Sequence, residues 1–486
     1  MNIAPLKSLK PKPFAYLQPG TRQLYVETEN GATLFKGRRS IEKALVTLKG
    51  FTCYVGSNVE SMKHTTGATS WTLSTWRGRE TRIRHEASGL GVTSLRGTLA
   101  DTREPFEALL EVAGWLDTYG VNMGSISSMS WNLLRASLDQ DIRIGADPRL
   151  GSASFFGPRQ EVREPKKYHD FQLVDIHAAY PSSMSRRPVA LSLAPVSASS
   201  RLDPDLPGIA SAIVDVPSDL PFPPLPVRVS PDAIQFQHGR LKGVWSWCEL
   251  DAARSLGCNV TILKAWAPRR SFDLFGPWWE IAQSGRSLSP AAANLAKAIA
   301  NNTWGQFAMT GDRRSEVRWH DDKGEYAFET PLEPRVLPHA RAMHVASETT
   351  ARVRVQTLIE GAYGTDSPPV HIDTDGVIIP LRATPPANSG SGFGQWRVKE
   401  TMTELEIRAP QFYRWRNKGE EWHYVASGMN EASAIATFSR PGSGFLHDSS
   451  RVAVGRYDAV LPPCHAEDRA RIEALLKEAR SRGVAA

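Results

Sequence analysis

The sequence predicts an α+β chain, and three observations carry that expectation. An apolar run, Phe171-Gln-Leu-Val-Asp-Ile176, reads as a strand that ends in a carboxylate, Asp175. Ser289-Pro290 opens a long helix, with Ser as N-cap and Pro at the first helical position. Apolar residues flank a second acidic turn, Asp373-Thr374-Asp375-Gly376, which reads as the tip of a β-hairpin.

The elements follow in order. Residues up to about 145 alternate short strand-like and helix-like stretches and read as one α/β domain. Leu24-Tyr-Val26 and Phe51–Val55 are expected strands, and Ile41–Leu48 and Pro105–Tyr119 are expected amphipathic helices. Gly151–Lys167, rich in Gly, Arg and Lys, reads as a loop or linker. Pro204–Pro231 is Pro-rich and contains one apolar strand, Ile209–Val216. Glu249–Leu256 is a short helix stopped by Gly257. The helix from Ser289 should run to about Met309. Ser315–Glu329 alternates and suggests a hairpin around Asp321–Gly324. Arg335–Glu360 contains a second long helix, and Ala466–Val484 a charged amphipathic one.

Composition bounds the function. The 486 residues are 41% hydrophobic and 22% charged, ordinary for a globular protein and enough for roughly two to four domains. No run of about 18 apolar residues exists, and the basic N-terminus lacks an apolar core, so neither a membrane span nor a signal peptide is expected. A net charge of +7 suits a polyanionic partner and equally suits a merely soluble surface. Cys53, Cys248, Cys258 and Cys464 are scattered without a CxxC pair, which suggests neither a zinc site nor a disulfide framework. A reducing cytoplasm is the expected compartment.

Chemistry concentrates in three segments. Asp175 stands between a strand and a turn into a helix, where an acid is either an N-cap or a ligand. Asp373 and Asp375 stand at the hairpin tip, as turn formers or as ligands. Taken together, two acidic turns from separate strands can converge on divalent ions. On the helix, Lys297, Asn301, Trp304 and Gly305 follow i, i+4, i+7, i+8 and share one face. Lys297 can meet a triphosphate there and Trp304 can stack near a base, or they are an exposed lysine and a core tryptophan. Arg286, just upstream, is a candidate second phosphate contact.

Asp175-Ile-His-Ala-Ala-Tyr180-Pro181, Lys297-Ala-Ile-Ala-Asn301-Asn-Thr-Trp304-Gly305 and His371-Ile-Asp373-Thr-Asp375-Gly376 together resemble motifs A, B and C of the family B DNA polymerases. Their spacing is most similar to the small protein-primed phage branch. The resemblance covers about residues 150–440. It implies a right-hand polymerase of palm, fingers and thumb, preceded by a shortened RNase H-like exonuclease-type α/β domain.

It implies a domain order as well. Residues 1–150 would be a degenerate exonuclease-like domain. Palm with motif A and an insertion would occupy 151–285, the fingers helix 286–312, palm with a hairpin insertion and motif C 313–405, and thumb 406–486. The insertion between motifs A and B would contact a terminal protein, and the hairpin at Ser315–Glu329 would encircle template.

The implied activity is DNA-directed DNA synthesis in phage or mobile-element replication. The partners would be template and primer DNA, dNTPs and a terminal-protein primer, and the chain would be a monomer in the host cytoplasm. Two Mg²⁺ ions, or Mn²⁺ in their place, would be held by Asp175, Asp373 and Asp375. Tyr180 would lie under the sugar and exclude a 2′-OH.

Phe155-Phe156-Gly157-Pro158-Arg159 resembles the template-contacting loop, with Pro158 in place of a glycine, so Gly157 and Arg159 are candidate DNA contacts. Arg408-Ala-Pro-Gln411-Phe-Tyr413 resembles the segment that holds the primer terminus. Gln411 stands where lysine is usual, which leaves Tyr413, with Arg408 as a compensating cation. Ser427-Gly428-Met429 resembles the start of the thumb. Motif B has Trp304 for the usual Tyr, and motif C has His371 for Tyr and Gly376 for Ser.

In the first domain, Tyr25-Val-Glu27 resembles an exonuclease strand that has lost its Asp. Ser57–Lys63 resembles a second such segment, with Lys63 for Asp. Asp101 is a candidate for the third acid, with Gly97 at the Tyr position. With two acids gone, proofreading is expected to be lost. The rival from another class is a catalytically inactive DNA-binding accessory protein, and priming mode is open.

Overall fold

Strand Lys167–Ile176 is buried on both faces, and this decides where the second half of the chain goes. Val174 and Ile176 face one core with Val353, Leu358, Ile372, Val377 and Trp396. Phe171 and Leu173, with the opposite parity, face another with Tyr168, Ile378, Met402 and Ile407. The computed structural model describes residues 2–7, 13–20, 23–49, 51–55, 71–76, 79–85, 90–94, 105–145, 148–199, 202–229, 234–308, 313–321, 324–332, 342–426, 434–435 and 438–439.

The central sheet has seven strands in the order Gln160–Val162, His371–Asp373, Gly376–Pro380, Lys167–Ile176, Trp396–Ala409, Phe412–Arg416, His423–Ala426. Every neighbouring pair is antiparallel. Three of the pairs are joined by short turns, and the long excursion after Ile176 returns from the opposite direction. Val353 near the end of helix Met343–Gln356, and Leu358 and Ala362 of the π-helical turn Thr357–Ala362 that follows it, pack on one face of the sheet.

Before this sheet stands a second one of seven strands. Phe14–Gly20, Gln23–Thr28 and Gly31–Lys36 form an antiparallel meander. Thr52–Val55 and Gly91–Ser94 add on in parallel, and Arg79–His85 and Trp71–Trp76 extend the edge. Helix Arg38–Thr47 buries Ile41 and Leu45 against Leu17, Leu24 and Val55. Helix Pro105–Asp117 covers Phe14, Tyr16 and Tyr54 on the other face. This is the expected RNase H-like α/β arrangement.

Helix Pro105–Asp117 also reaches forward. Its Leu109, Val112 and Leu116 share a core with Leu295, Ala296 and Ile299 of helix Pro290–Ala308. Trp115 Nε1 donates to Ser284 Oγ at 2.9 Å, and Glu111 accepts the Ser289 N–H at 2.8 Å. Between the two acidic segments, Val189–Val196, Asn259–Phe272, Ile209–Val216 and Gly239–Ser246 form a separate antiparallel sheet. Strands Arg313–Asp321 and Gly324–Leu332 pair as the expected hairpin.

Two expectations need correction. Gly151–Lys167 is not simply a loop: it contains the end of helix Pro148–Ser154 and strand Gln160–Val162. That strand exists because it pairs with His371–Asp373, a partner far away in sequence that local propensity cannot report. The second long helix begins at Met343 rather than near Arg335. The proposed elements at Ser57–Lys63, Gly97, Asp101, Ser427–Met429 and Ala466–Val484 lie outside the described residues.

A buried ion pair ties helix Trp247–Ser255 to helix Met343–Gln356. Arg354 Nε and Nη2 donate to Glu249 Oε1 at 3.0 and 2.8 Å, and the Ser246 N–H donates to Oε2 at 3.2 Å. Arg354 Nη1 donates to the carbonyls of Phe156 and Gly157. Removing one partner strands the other charge in the core. Glu249→Ala should lower stability by about 3–5 kcal/mol, and the double variant Glu249→Leu, Arg354→Met by much less. Urea denaturation tests this, and a loss under about 1 kcal/mol for the single variant would contradict it.

Candidate active site

The three acids are brought together by β register. Gln160 pairs with Asp373, Asp373 with Gly376, Gly376 with Asp175, and Asp175 with Arg397. Directly opposed residues point to the same face, so Asp175 and Asp373 project side by side across Gly376. Their backbones are two strands, roughly 10 Å, apart. A Cβ at Gly376 would meet Val174 O at 3.3 Å and Asp175 Cβ at 3.6 Å. The glycine therefore keeps the space between the two carboxylates open.

The hairpin tip is strained and held. Thr374, a β-branched residue, has φ +62°. Its N–H donates to Arg159 O at 2.7 Å, and its carbonyl accepts the Thr357 hydroxyl at 3.1 Å. Asp375 O accepts the Ile176 N–H at 2.8 Å, which fastens the tip to the strand that carries Asp175. The left-handed backbone of the tip thus falls on Thr374, and Gly376 serves spacing.

Each acid has a different environment. Asp175 is paired with Arg397, Nε to Oδ1 3.0 Å, and with Lys399, Nζ to Oδ2 3.6 Å. Asp373 Oδ1 accepts from Gln411 Nε2 at 2.8 Å and from Thr374 Oγ1 at 3.1 Å. Asp375 is half-buried, and burial, then Asp373 and Asp175, raises its carboxyl to about 7, against a smaller opposing effect of Lys399. His371, buried behind the tip, is pushed down to about 4 by burial, so it is neutral at physiological pH. Its Nε2 accepts the Gln411 N–H at 3.4 Å.

Four cations face the acids. Lys297 lies on the outward face of helix Pro290–Ala308, opposite the buried Leu295, Ile299, Thr303 and Phe307. Its ammonium is held below the ordinary lysine range by desolvation and then by Arg286, Lys399 and Arg397, with Asp175 opposing. Arg286 lies over the Phe393 ring at 5.8 Å, and burial and Arg397 lower its pKa. Among the described residues, its Nη2 has no hydrogen-bond partner, and neither has the buried Oδ1 of Asn301. Tyr180 and Trp304, from separate motifs, stack at 5.0 Å and 18°. Phe155 also lies against Trp304, tilted at 43° with centroids 6.4 Å apart. A Cβ at Gly305 would meet nothing within 4 Å.

Several expected contacts are placed differently. Arg159 is fully buried: it pairs with Glu161, donates to Pro223 O at 2.9 Å and stacks on Phe236. Its guanidinium therefore does not face a template, and its backbone braces Thr374 instead. Gly157 keeps open space, but its carbonyl is tied to Arg354. Arg408 is engaged by Glu406 at 2.9 Å and by Phe438 O at 2.9 Å, so it does not replace the missing lysine. Tyr413 is buried edge-to-face against His371, and its hydroxyl is raised by burial and then by Asp373. Gln411, Arg397 and Lys399 were not expected at the site. Gln411 stood at the lysine position, and Arg397 and Lys399 alternate along one strand face, but only register aims that face at Asp175.

Among the described residues, no three His, Cys, Asp or Glu side chains stand close enough to hold a metal ion as they are. Arg397 and Lys399 draw Asp175 to one side, and Gln411 holds Asp373. The donor set nevertheless fits a hard divalent cation. It offers carboxylate oxygens, a glycine gap between two of them, and a third carboxyl, Asp375, raised first by burial and then by the repulsion that a cation would reverse.

An antiparallel palm holding acids at a hairpin tip, a crossing fingers helix and a preceding RNase H-like domain define the fold of a right-hand DNA polymerase. The solved structures agree on the particular fold. Phi29 DNA polymerase in ternary complex with primer-template DNA and incoming nucleotide substrates matches at TM-score 0.63 and 12% identity, over 90% of this chain and 96% of that one. Its complex with single-stranded DNA matches at 0.62 and 12%, with the same coverage. Its orthorhombic crystal form matches at 0.63 and 12%, over 88% and 95%. No family model and no curated protein matches the chain. No helix among the described residues is long and apolar enough to cross a membrane.

The folded protein holds the Asp375 proton more tightly than the unfolded chain does. The stability this gives is fully present below about pH 4 and is lost as pH rises through about 7. Asp375→Asn should therefore raise metal-free stability at about pH 8 by about 1–3 kcal/mol, and change little near pH 4. Equal effects at the two pH values in urea titrations would remove the burial argument. Mn²⁺ should raise the melting temperature of the wild type more at pH 8 than at pH 6, and much less in Asp375→Asn.

Proposed function

We propose that the chain is a DNA-directed DNA polymerase that extends a 3′-OH by two-metal-ion nucleotidyl transfer and lacks proofreading. The observation that carries this is the row setting Asp175 and Asp373 across Gly376, with Asp375 at the tip and Lys297 facing them, within the fold shared with phi29 DNA polymerase. Primer-template DNA and dNTPs are the proposed partners, as in the neighbour's ternary complex. A terminal protein is one proposed source of the primer hydroxyl, and replication of a phage or mobile element the proposed setting.

Bound Mg²⁺ or Mn²⁺ would lower the pKa of the primer hydroxyl and neutralise triphosphate charge. Asp175, Asp373 and Asp375 would hold the ions. Gln411 and Thr374 fix one oxygen of Asp373, which limits its rotation. Lys297 and Arg286 bind and orient the triphosphate for in-line attack. The Tyr180–Trp304 stack bounds the sugar side of the pocket and excludes a 2′-OH by contact. On strand Gln23–Thr28, Tyr25 and Glu27 supply one carboxylate where two-metal hydrolysis needs more.

The ion pairing of Asp175 favours a second reading, a DNA-binding protein without catalysis. Primer extension on a primed single strand with Mg²⁺ and dNTPs separates the two. Extension by the wild type and at least about a thousandfold loss in Asp375→Ala are expected. DNA binding at low salt without extension, even with a hydroxyl-bearing primer protein, would favour the second reading. Labelled 3′ ends should stay intact. Tyr180→Ala should raise ribonucleotide incorporation about 10–200-fold relative to deoxyribonucleotide, and an unchanged ratio would remove the gate role of Tyr180.

A further inference from the structure

Arg397 and Lys399 share one face of strand Trp396–Ala409, and each stands on one oxygen of Asp175, at 3.0 and 3.6 Å. Neither is sunk in the fold: their side chains are 40% and 51% exposed, against 15% for Asp175. They reach the cleft from the palm side, while Arg286 and Lys297 reach it from the fingers side. The four charges are close enough that Arg286, Lys399 and Arg397 add to the lowering of Lys297 that burial begins. Among the described residues, Arg286 Nη2 has no hydrogen-bond partner. Asp175 is the counter-ion that Arg397 and Lys399 share, and like charges gathered in this way favour a compact polyanion. A guanidinium fork beside an ammonium suits adjacent phosphate oxygens.

We propose that Arg397 and Lys399 form a palm-side polyphosphate subsite, and that they exchange Asp175 for phosphate oxygens when a nucleoside triphosphate or pyrophosphate binds. A partly exposed ion pair is weak and screened, so breaking it costs little. Charge-assisted contacts to phosphate replace it at both cations. The exchange frees both oxygens of Asp175 at the moment the substrate arrives. Polyphosphate binding and cation binding at Asp175 thereby reinforce each other. The inference rests on the polymerase reading only for which polyanion is the natural one.

The test is calorimetry on the full chain in EDTA with inorganic tripolyphosphate. The wild type should bind, more weakly as salt rises. Arg397→Gln should lose about tenfold in affinity, Lys399→Gln less, and Arg397→Lys should recover part of the loss. Mn²⁺ titrated without polyphosphate should bind Arg397→Gln more tightly than wild type, because Asp175 has lost its competitor. A residue serving only the fold would not move the two affinities in opposite directions.

Unchanged tripolyphosphate affinity in Arg397→Gln with an unaltered melting temperature would overturn the subsite, as would a wild type that does not bind in EDTA. If Arg397→Gln does not fold, Lys399→Gln carries the test, and unchanged affinity there has the same meaning. Wild-type primer extension is scored separately. Its failure with tripolyphosphate binding intact removes the polymerase reaction and leaves the subsite.

Discussion

Three carboxylates set together by one strand end and the adjoining hairpin tip are the constraint on which the rest of this structure depends. Like charges in a half-buried site repel, and the chain manages this differently at each acid. Asp175 is countered by Arg397 and Lys399, Asp373 by hydrogen bonds from Gln411 and Thr374, and at Asp375 burial and then its acidic neighbours raise the carboxyl to about 7. Under the proposed function, divalent cations would take the place of these protons and ion pairs. The backbone must also resist the repulsion, which explains the number of contacts around Thr374.

Those contacts lead outward to two buried arginines. Arg159 reaches the tip through its carbonyl, while its side chain is locked between Glu161, Pro223 and Phe236. Arg354 ties the carbonyls of Phe156 and Gly157 to Glu249 and so fixes the segment leading into Arg159. Residues that looked like candidates for touching nucleic acid thus hold the acidic hairpin in place. Buried ion pairs are weak sources of net stability, but they specify geometry because any misplacement leaves a charge unpaired.

The N-terminal domain is joined to the fingers helix in the same concrete sense. Leu109, Val112 and Leu116 complete the core under Leu295 and Ile299, and Glu111 accepts the N–H of Ser289 at the helix start. The position of Lys297 above the acids therefore depends on this first domain. That coupling is a physical reason for the chain to keep the domain.

Local patterns in the sequence determined the elements that carry the chemistry. Alternation marked the strand ending at Asp175, Ser289-Pro290 marked the start of the Lys297 helix, and apolar flanks marked the hairpin at Asp373–Asp375. These signals are legible because they depend on neighbours a few residues away. The tertiary structure alone decided which side chains meet. Strand Gln160–Val162 formed only through a distant partner, Arg159 turned inward, and Gln411 reached Asp373. Arg397 and Lys399 were aimed at Asp175 by cross-strand register, which long-range pairing sets and local propensity does not encode.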